Sequence, residues 1–130
     1  MQAADDFAHE RVLDHVRHPR NSGLLQPADA RAKSSNPLCG DWVEVSLRFD
    51  AAGRVEAVGF VGVGCSVSQA SASILFGAIA GKARADLQSI REDEVISMLG
   101  LELNNNRKKC AYVALQALQE AAAPGRHARP

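Results

Sequence analysis

The stretch WVEVSLRFDAAGRVEAVGFVGV, residues 42–63, decides the fold. In its first part, the apolar residues share one side of an extended chain: Val43, Val45, Leu47 and Phe49. Polar residues fall on the other side, and this alternation predicts a half-buried antiparallel strand over residues 42–49. The residues DAAG at 50–53 predict a hairpin turn, so residues 54–63 are expected to form the return strand. A third strand is expected within residues 24–33.

Helical periodicity begins after Gly64. Residues 66–80 predict a helix of small residues that ends at Gly81, with four positions expected to face the sheet: Ala70, Ile74, Ala78 and Ile79. Residues 92–99 predict a short helix closed by Gly100. The asparagines at 104–106 predict the cap of a last helix, which carries an apolar stripe: Cys110, Val113, Ala114, Ala117, Leu118 and Ala121.

An N-terminal helix is also predicted, capped by Asp5 or Asp6 and ended by HPRNSG at 18–23. Its expected apolar face consists of Ala8, Val12, Leu13 and Val16. The order of helix, strands and helices predicts an α+β fold, a small antiparallel sheet of about three strands with helices packed on one face. We expect a single domain over residues 1–123 and a disordered polar tail over residues 124–130.

The composition narrows the function classes. With 15 basic and 15 acidic side chains the formal net charge is zero, which argues against a nucleic-acid binder with a basic face. No apolar run reaches the ~18 residues of a membrane span, and no secretion signal is visible. The protein is therefore expected to be cytoplasmic. Its three cysteines lie far apart, and in a reducing compartment such thiols more often bind metal or do chemistry than form disulfides.

Cys39 lies in NPLCGD, residues 36–41, directly before the first clear strand. The flanking proline and glycine indicate a loop, where functional residues are common. Asp41 follows two residues later, so a thiolate and a carboxylate could project from one turn. An aspartate in that place is as often a turn or capping residue.

Cys65 follows Gly-Val-Gly and opens a helix, where unpaired amide groups favour the thiolate form. A phosphate-binding glycine loop is a weaker interpretation, because the third glycine and the lysine of such motifs are missing. Cys110 comes directly after Arg107-Lys108-Lys109 in the first turns of the last helix. The three cations would stabilise a thiolate and offset the negative charge of a metal site, although a core role for the cysteine or a solvated face for the cations stays open.

All three cysteines are predicted at boundaries between elements. Three thiolates and one oxygen ligand suit a tetrahedral zinc site or an iron–sulfur site. A structural zinc site usually has cysteine pairs close in sequence, and this chain has none. Widely separated ligands on loops therefore indicate a site that must remain accessible.

The sequence from about residue 14 to residue 122 resembles the U-type iron–sulfur cluster assembly proteins. The resemblance is carried by LDH at 13–15 with HPRNSG at 18–23, NPLCGD at 36–41, GVGCSVSQASAS at 62–73 and RKKCA at 107–111. It implies that Cys39, Asp41, Cys65 and Cys110 bind zinc or a transient [2Fe–2S] cluster, with Arg107 and Lys109 in support.

The resemblance further implies a partner cysteine desulfurase that donates sulfur, with Cys110 and Cys39 as the candidate persulfide acceptors. A downstream cluster carrier or apo-protein would receive the product. Such a protein is either a zinc-dependent sulfurtransferase or a scaffold without enzymatic activity.

The motifs and the length favour different branches of this family. Lys109 stands where ISC-type scaffolds have histidine, and Arg107 to Cys110 follow the SUF-type pattern. The short spacing between Cys65 and Cys110 leaves no room for the insertion that SUF-type proteins carry there. The alternative function is a structural zinc module that binds a partner without sulfur transfer. A cysteine hydrolase or thiol redox enzyme is disfavoured, because no base lies near and no C-x-x-C is present.

Overall fold

The structure, a computed structural model, describes residues 2–37 and 40–123. Its elements in chain order are α1 (Gln2–Arg17), β1 (Ala30–Asn36), β2 (Asp41–Phe49), β3 (Val55–Val63), α2 (Ser66–Gly77), α3 (Arg84–Gln88), α4 (Glu92–Leu99) and α5 (Asn105–Ala122). The α+β fold class is confirmed. Among the helices within the described ranges, none is both long and apolar enough to cross a membrane.

The three strands form one antiparallel sheet in the order β1-β2-β3. The predicted hairpin between β2 and β3 is confirmed: the backbone N–H of Gly53 donates to the carbonyl of Asp50 at 3.0 Å. The carboxylate of Asp50 also accepts the backbone N–H groups of Ala52 and Arg54. Gly53 has a φ of 78°, a conformation that glycine adopts without strain.

The third strand lies later than predicted, at Ala30–Asn36 rather than within residues 24–33. Residues before it cross the sheet instead, and the backbone N–H of Leu25 donates to Ser46 Oγ at 2.9 Å. The strand faces the core with Ala30 and Ala32, which are buried but small. An alternation built on alanine and serine gives a weak hydrophobic signal, which explains the shifted prediction.

Helices α2 and α5 cover one face of the sheet and enclose the main core. Phe60 of β3 and Phe76 of α2 meet edge to face there, with ring centroids 5.3 Å apart. The predicted stripe of α5 is confirmed, because all six of its residues are buried: Cys110, Val113, Ala114, Ala117, Leu118 and Ala121.

The sheet-facing side of α2 was predicted only in part. The helix ends at Gly77, so Ala78 is exposed and Gly81 does not end the helix. Ala70 and Ile74 pack in a second cluster on the other side of α2. The residues that reach the main core are Ala72, Leu75 and Phe76 of α2, and Ile79 beyond its end.

The second cluster joins α1 to α2, α4 and α5 through buried residues: Val12, Val67, Ala70, Leu99, Cys110 and Ala111. The predicted cap at Asp5 or Asp6 is wrong, because α1 already begins at Gln2. Leu13 is also misassigned and is 44% exposed, since α1 packs mainly on α2 and buries a narrow stripe. The end of α1 at Arg17 and the helix α4 with Gly100 after it are confirmed, whereas the short α3 was not predicted.

Candidate metal centre

Asp41 is the first residue of β2 and is 5% exposed. Gly40, directly before it, has a φ of 75°, and its backbone N–H donates to the carbonyl of Asn36 at 2.9 Å. Asn36 and Asp41 are paired across β1 and β2. The predicted ligand Cys39 lies outside the described residues.

Cys65 is the N-cap residue of α2, with extended backbone angles. Its side chain does not cap the helix, and its Sγ donates instead to Asp41 Oδ2 at 3.7 Å. Gly64 makes this approach possible, because a Cβ there would lie 2.9 Å from Asp41 Cγ and would overlap Ser68 Oγ.

Cys110 lies in the second turn of α5 and is 4% exposed. The predicted place of Cys110 in the first turns of the last helix is confirmed, and the basic triplet before it also lies inside α5, which begins at Asn105. The field of a helix N-terminus fades within its first turn, so it acts little on Cys110.

These three elements bring their ligand atoms together. One oxygen of Asp41 and the sulfurs of Cys65 and Cys110 all lie within 4.8 Å of one another. The residues come from the start of a strand, the start of one helix and the second turn of another, so only the folded chain assembles the group.

The donor set fits a metal ion. Zinc bonds of ~2.3 Å to sulfur and ~2.1 Å to oxygen at a tetrahedral angle place the two ligand atoms about 3.6 Å apart. The separation between Asp41 Oδ2 and Cys65 Sγ is 3.7 Å. Asp41 forms no ion pair with any residue in the described ranges, and a buried carboxylate without a cation is costly. A bound cation would remove that cost.

The three ligands open into a pocket of about 360 Å³, whose other lining residues are Asn104, Asn106 and Arg107. Asn104 was predicted only as a helix cap, and it does cap α5 by accepting the backbone N–H of Arg107 at 2.9 Å. The sequence could not show that Asn104 also lines the pocket of the candidate ligands, because the fold alone brings residue 104 next to residues 41 and 65.

The two predicted supporting cations are separated. Arg107 lines the ligand pocket, whereas Lys109 lines a neighbouring cavity of about 360 Å³ with Glu92 and Tyr112. Burial raises the pKa of Tyr112, and the carboxylates of Glu92 and Asp93 add to the effect. Of the two predicted cations, Arg107 therefore lines the ligand pocket and Lys109 does not.

A polar contact fastens α1 to α2. His15 Nδ1 lies 2.7 Å from Ser73 Oγ, which also accepts the backbone N–H of Arg20 at 2.8 Å. Burial lowers the pKa of His15, and the Arg20 guanidinium lowers it further. The hydrogen bond from Arg20 to Asp14, 2.5 Å long, lowers the pKa of that carboxyl.

The sequence model of the NifU-like N terminal domain matches residues 7–127. The chain is 30% identical over 136 residues to the zinc-dependent sulfurtransferase SufU of Bacillus subtilis strain 168, covering 92% of this chain and 91% of that protein. It is 29% identical over 117 residues to the iron-sulfur cluster assembly scaffold protein IscU of Escherichia coli K12, covering 88% of this chain and 90% of that protein.

Solved structures share the fold. A hypothetical protein known from a 2.3 Å crystal structure has a TM-score of 0.75 at 27% identity, covering 91% of this chain and 98% of that one. The N-terminal part of a nitrogen-fixing NifU-like protein from Brucella abortus has a TM-score of 0.69 at 20% identity, covering 90% and 92%. Because the family model matches residues 7–127, nearly the whole chain, the chain belongs to the NifU-like N-terminal domain family.

Proposed function

We propose that this protein takes part in iron–sulfur cluster assembly, holds zinc or a nascent cluster at Asp41, Cys65 and Cys110, and accepts sulfur from a cysteine desulfurase. The observation that carries the proposal is the convergence of one carboxylate oxygen and two sulfurs within 4.8 Å. Cys39 is the proposed fourth ligand. The names of the SufU and IscU relatives support the same chemistry.

Sulfur acceptance would be a thiol–persulfide exchange. A thiolate of this chain attacks the terminal sulfur of the desulfurase persulfide and forms a new sulfur–sulfur bond. The sulfur–sulfur bond of the donor breaks, and the desulfurase cysteine leaves as a thiolate. Metal binding favours the thiolate form of the cysteines, since only deprotonated thiols ligate.

Burial bears on which cysteine receives sulfur. Cys110, one of the two candidate acceptors with Cys39, is buried, whereas Cys65 is half-buried. Direct attack by Cys110 therefore requires that the pocket open or that a ligand be exchanged when the desulfurase docks.

A purely structural zinc module is the second candidate, and the core argues against it. The main cluster between the sheet, α2 and α5 includes none of the three grouped ligands. A metal whose only role was to hold the fold would be expected where the hydrophobic core is insufficient. We therefore expect a chelator to remove the metal without unfolding the domain.

The test is anaerobic purification with elemental analysis, an absorption spectrum, and stimulation of a cysteine desulfurase. Metal bound at one zinc per chain, or iron with visible bands, together with desulfurase stimulation supports the proposal. Asp29→Ala is a matched control for Asp41→Ala, because Asp29 caps a backbone N–H away from the ligand pocket. If replacing Cys65 or Cys110 by alanine leaves both metal content and stimulation at the wild-type level, the proposal is wrong.

A further inference from the structure

Two side chains of α2 hold the backbone on both sides of Cys65. Gln69 Nε2 donates to the carbonyl of Gly64 at 2.8 Å. Ser68 Oγ donates to the carbonyl of Cys65 at 3.0 Å, and the backbone N–H of Gln69 donates to the same carbonyl at 3.1 Å. Both peptide planes that flank the Cα of Cys65 are therefore fixed, and these planes set the direction of its Cα–Cβ bond.

The contact made by Gln69 is not part of the helix. A helix supplies its first intrahelical hydrogen bond to the carbonyl of the N-cap residue, which is Cys65 here. The carbonyl of Gly64 lies one residue earlier and receives the side-chain amide of Gln69 instead. The backbonding of Ser68 is by contrast a common local feature of helices.

The peptide that Gln69 holds also lies against Asp41. A Cβ on Gly64 would lie 2.9 Å from Asp41 Cγ and 3.2 Å from Asp41 Cβ. A shift of this peptide would therefore move Cys65 Sγ and would also change the space that the Asp41 carboxylate occupies. The 3.7 Å approach between the two ligand atoms depends on where the Gly64 peptide lies.

We propose that Gln69 is a positioning residue for the metal centre, fixing the Gly64–Cys65 peptide so that Cys65 Sγ and Asp41 Oδ2 lie at the separation a metal ion needs. The effect of Gln69 on metal binding rests on the proposed function. The positioning of Cys65 by Gln69 does not require a bound metal. Gln69 donates to a backbone carbonyl and not to a ligand atom, so it acts through the backbone.

The chain offers a closely matched control. Gln119 of α5 is half-buried, as Gln69 is, and its Nε2 donates to the carbonyl of Ile90 at 2.8 Å. That contact fixes the turn between α3 and α4 and involves no residue of the ligand pocket. Gln69→Met and Gln119→Met each remove one amide donor while keeping the length of the side chain.

The first measurement uses metal-free protein. The rate at which iodoacetamide alkylates Cys65 is followed by mass spectrometry for the wild type and both variants, with thermal unfolding in parallel. We expect Gln69→Met to change the Cys65 rate severalfold relative to Gln119→Met, whereas both lose stability to a similar degree. Equal Cys65 rates in the two variants overturn the positioning role.

The second measurement is Co²⁺ titration, followed by the thiolate charge-transfer and d–d absorption bands. Outer groups that orient ligands typically contribute 10–100-fold to metal affinity, so Gln69→Met should weaken Co²⁺ binding about tenfold or more and alter the d–d bands. Wild-type affinity and spectrum in Gln69→Met overturn the inference. If the wild type binds no Co²⁺, the proposed function fails, and the alkylation rates alone decide whether Gln69 positions Cys65.

Discussion

The sulfur of Cys65 lies 3.7 Å from a carboxylate oxygen of Asp41, although one residue begins a helix and the other begins a strand. Asp41 is 5% exposed, and its carboxylate has this thiol as a partner. A thiol is a weak donor, so the pair does little to repay the burial of a charge. The arrangement is better suited to binding a cation than to stabilising the fold.

Asp41→Ala is therefore expected to impair metal or cluster retention more than stability. A direct ligand contributes more than the outer groups whose loss costs roughly 10–100-fold, so affinity should fall by more than about tenfold. Removing a buried carboxylate should change the free energy of unfolding of the metal-free protein by less than about 1 kcal/mol, because its desolvation cost is also removed. Competition with a chelator and urea unfolding measure the two quantities. A loss of stability in proportion to the loss of metal would contradict this, and Asp29→Ala should leave metal affinity unchanged.

Gly64→Ala should displace the Asp41 carboxylate. The added Cβ would lie 2.9 Å from Asp41 Cγ, closer than such atoms approach in proteins. Metal affinity should fall by at least about tenfold, as when an orienting group is lost. Gly77→Ala is the control: its Cβ would meet no atom within 4 Å, so it should stabilise the protein by about 0.4–1 kcal/mol and leave metal binding unaltered. Equal metal affinity in the two variants would mean that Asp41 can move aside without consequence.

Arg107 and Lys109 should differ, because only Arg107 lines the ligand pocket. Arg107 is exposed, so its attraction to a negatively charged metal–thiolate group is screened by water and salt. Exposed charge pairs contribute about 0.2–1 kcal/mol, so Arg107→Gln should lower Co²⁺ affinity no more than about fivefold, and less at high salt. Lys109→Gln should have no measurable effect. If Lys109→Gln lowers Co²⁺ affinity as much as Arg107→Gln does, charge acts on the site from both cavities.

Metal removal should leave the fold intact, because the main core lies between the sheet and the helices α2 and α5 and includes none of the three grouped ligands. Circular dichroism and thermal unfolding before and after chelation check this, with restoration by added Zn²⁺ as the control. Binding stabilises the folded state by mass action, so the melting temperature should fall on chelation while the transition stays cooperative. A chelated protein without a cooperative transition would favour the structural zinc module.

The sequence predicted those parts of the fold whose apolar residues are large and periodic. Strand β2 is of this kind, since its alternation is built on valine, leucine and phenylalanine. The stripe of α5 is rich in alanine, but it keeps its helical spacing from residue 110 to residue 121 and includes Val113 and Leu118. Strand β1 was displaced because alanines bury too little to give a signal, and α3 was missed because Leu87 is its one buried residue. The side of a helix that faces its neighbour was also not predicted correctly: Leu13 was expected on the apolar face of α1 but is exposed.

The site was predicted by its ligand types but not by its geometry. Asp41, Cys65 and Cys110 were singled out from local motifs, whereas their convergence depends on how α5 crosses the sheet beside α2. The same reason explains why Lys109 was grouped with Arg107. Neighbours in sequence on a helix point in different directions, so a basic triplet cannot be assigned to one pocket without the structure.

Stability should fall as the pH is lowered below about 6.5, because of His15. Its pKa is lowered in the folded state, chiefly by burial, and the unfolded chain therefore takes up a proton first as the pH falls through the ordinary value of about 6.5. Where the unfolded state binds more protons, the free energy of unfolding decreases with decreasing pH. The contribution of neutral His15 is thus fully present above pH 6.5 and is lost below it. Ser73 Oγ accepts the backbone N–H of Arg20, so its hydroxyl is free to donate to the unprotonated His15 Nδ1.

Urea unfolding at several pH values between 5.5 and 7.5 measures how steeply the free energy of unfolding depends on pH. This slope should become shallower in His15→Asn. The same substitution at His18, an exposed residue just past the end of α1, controls for the loss of a histidine. An unchanged slope in His15→Asn would assign the pH dependence to other groups.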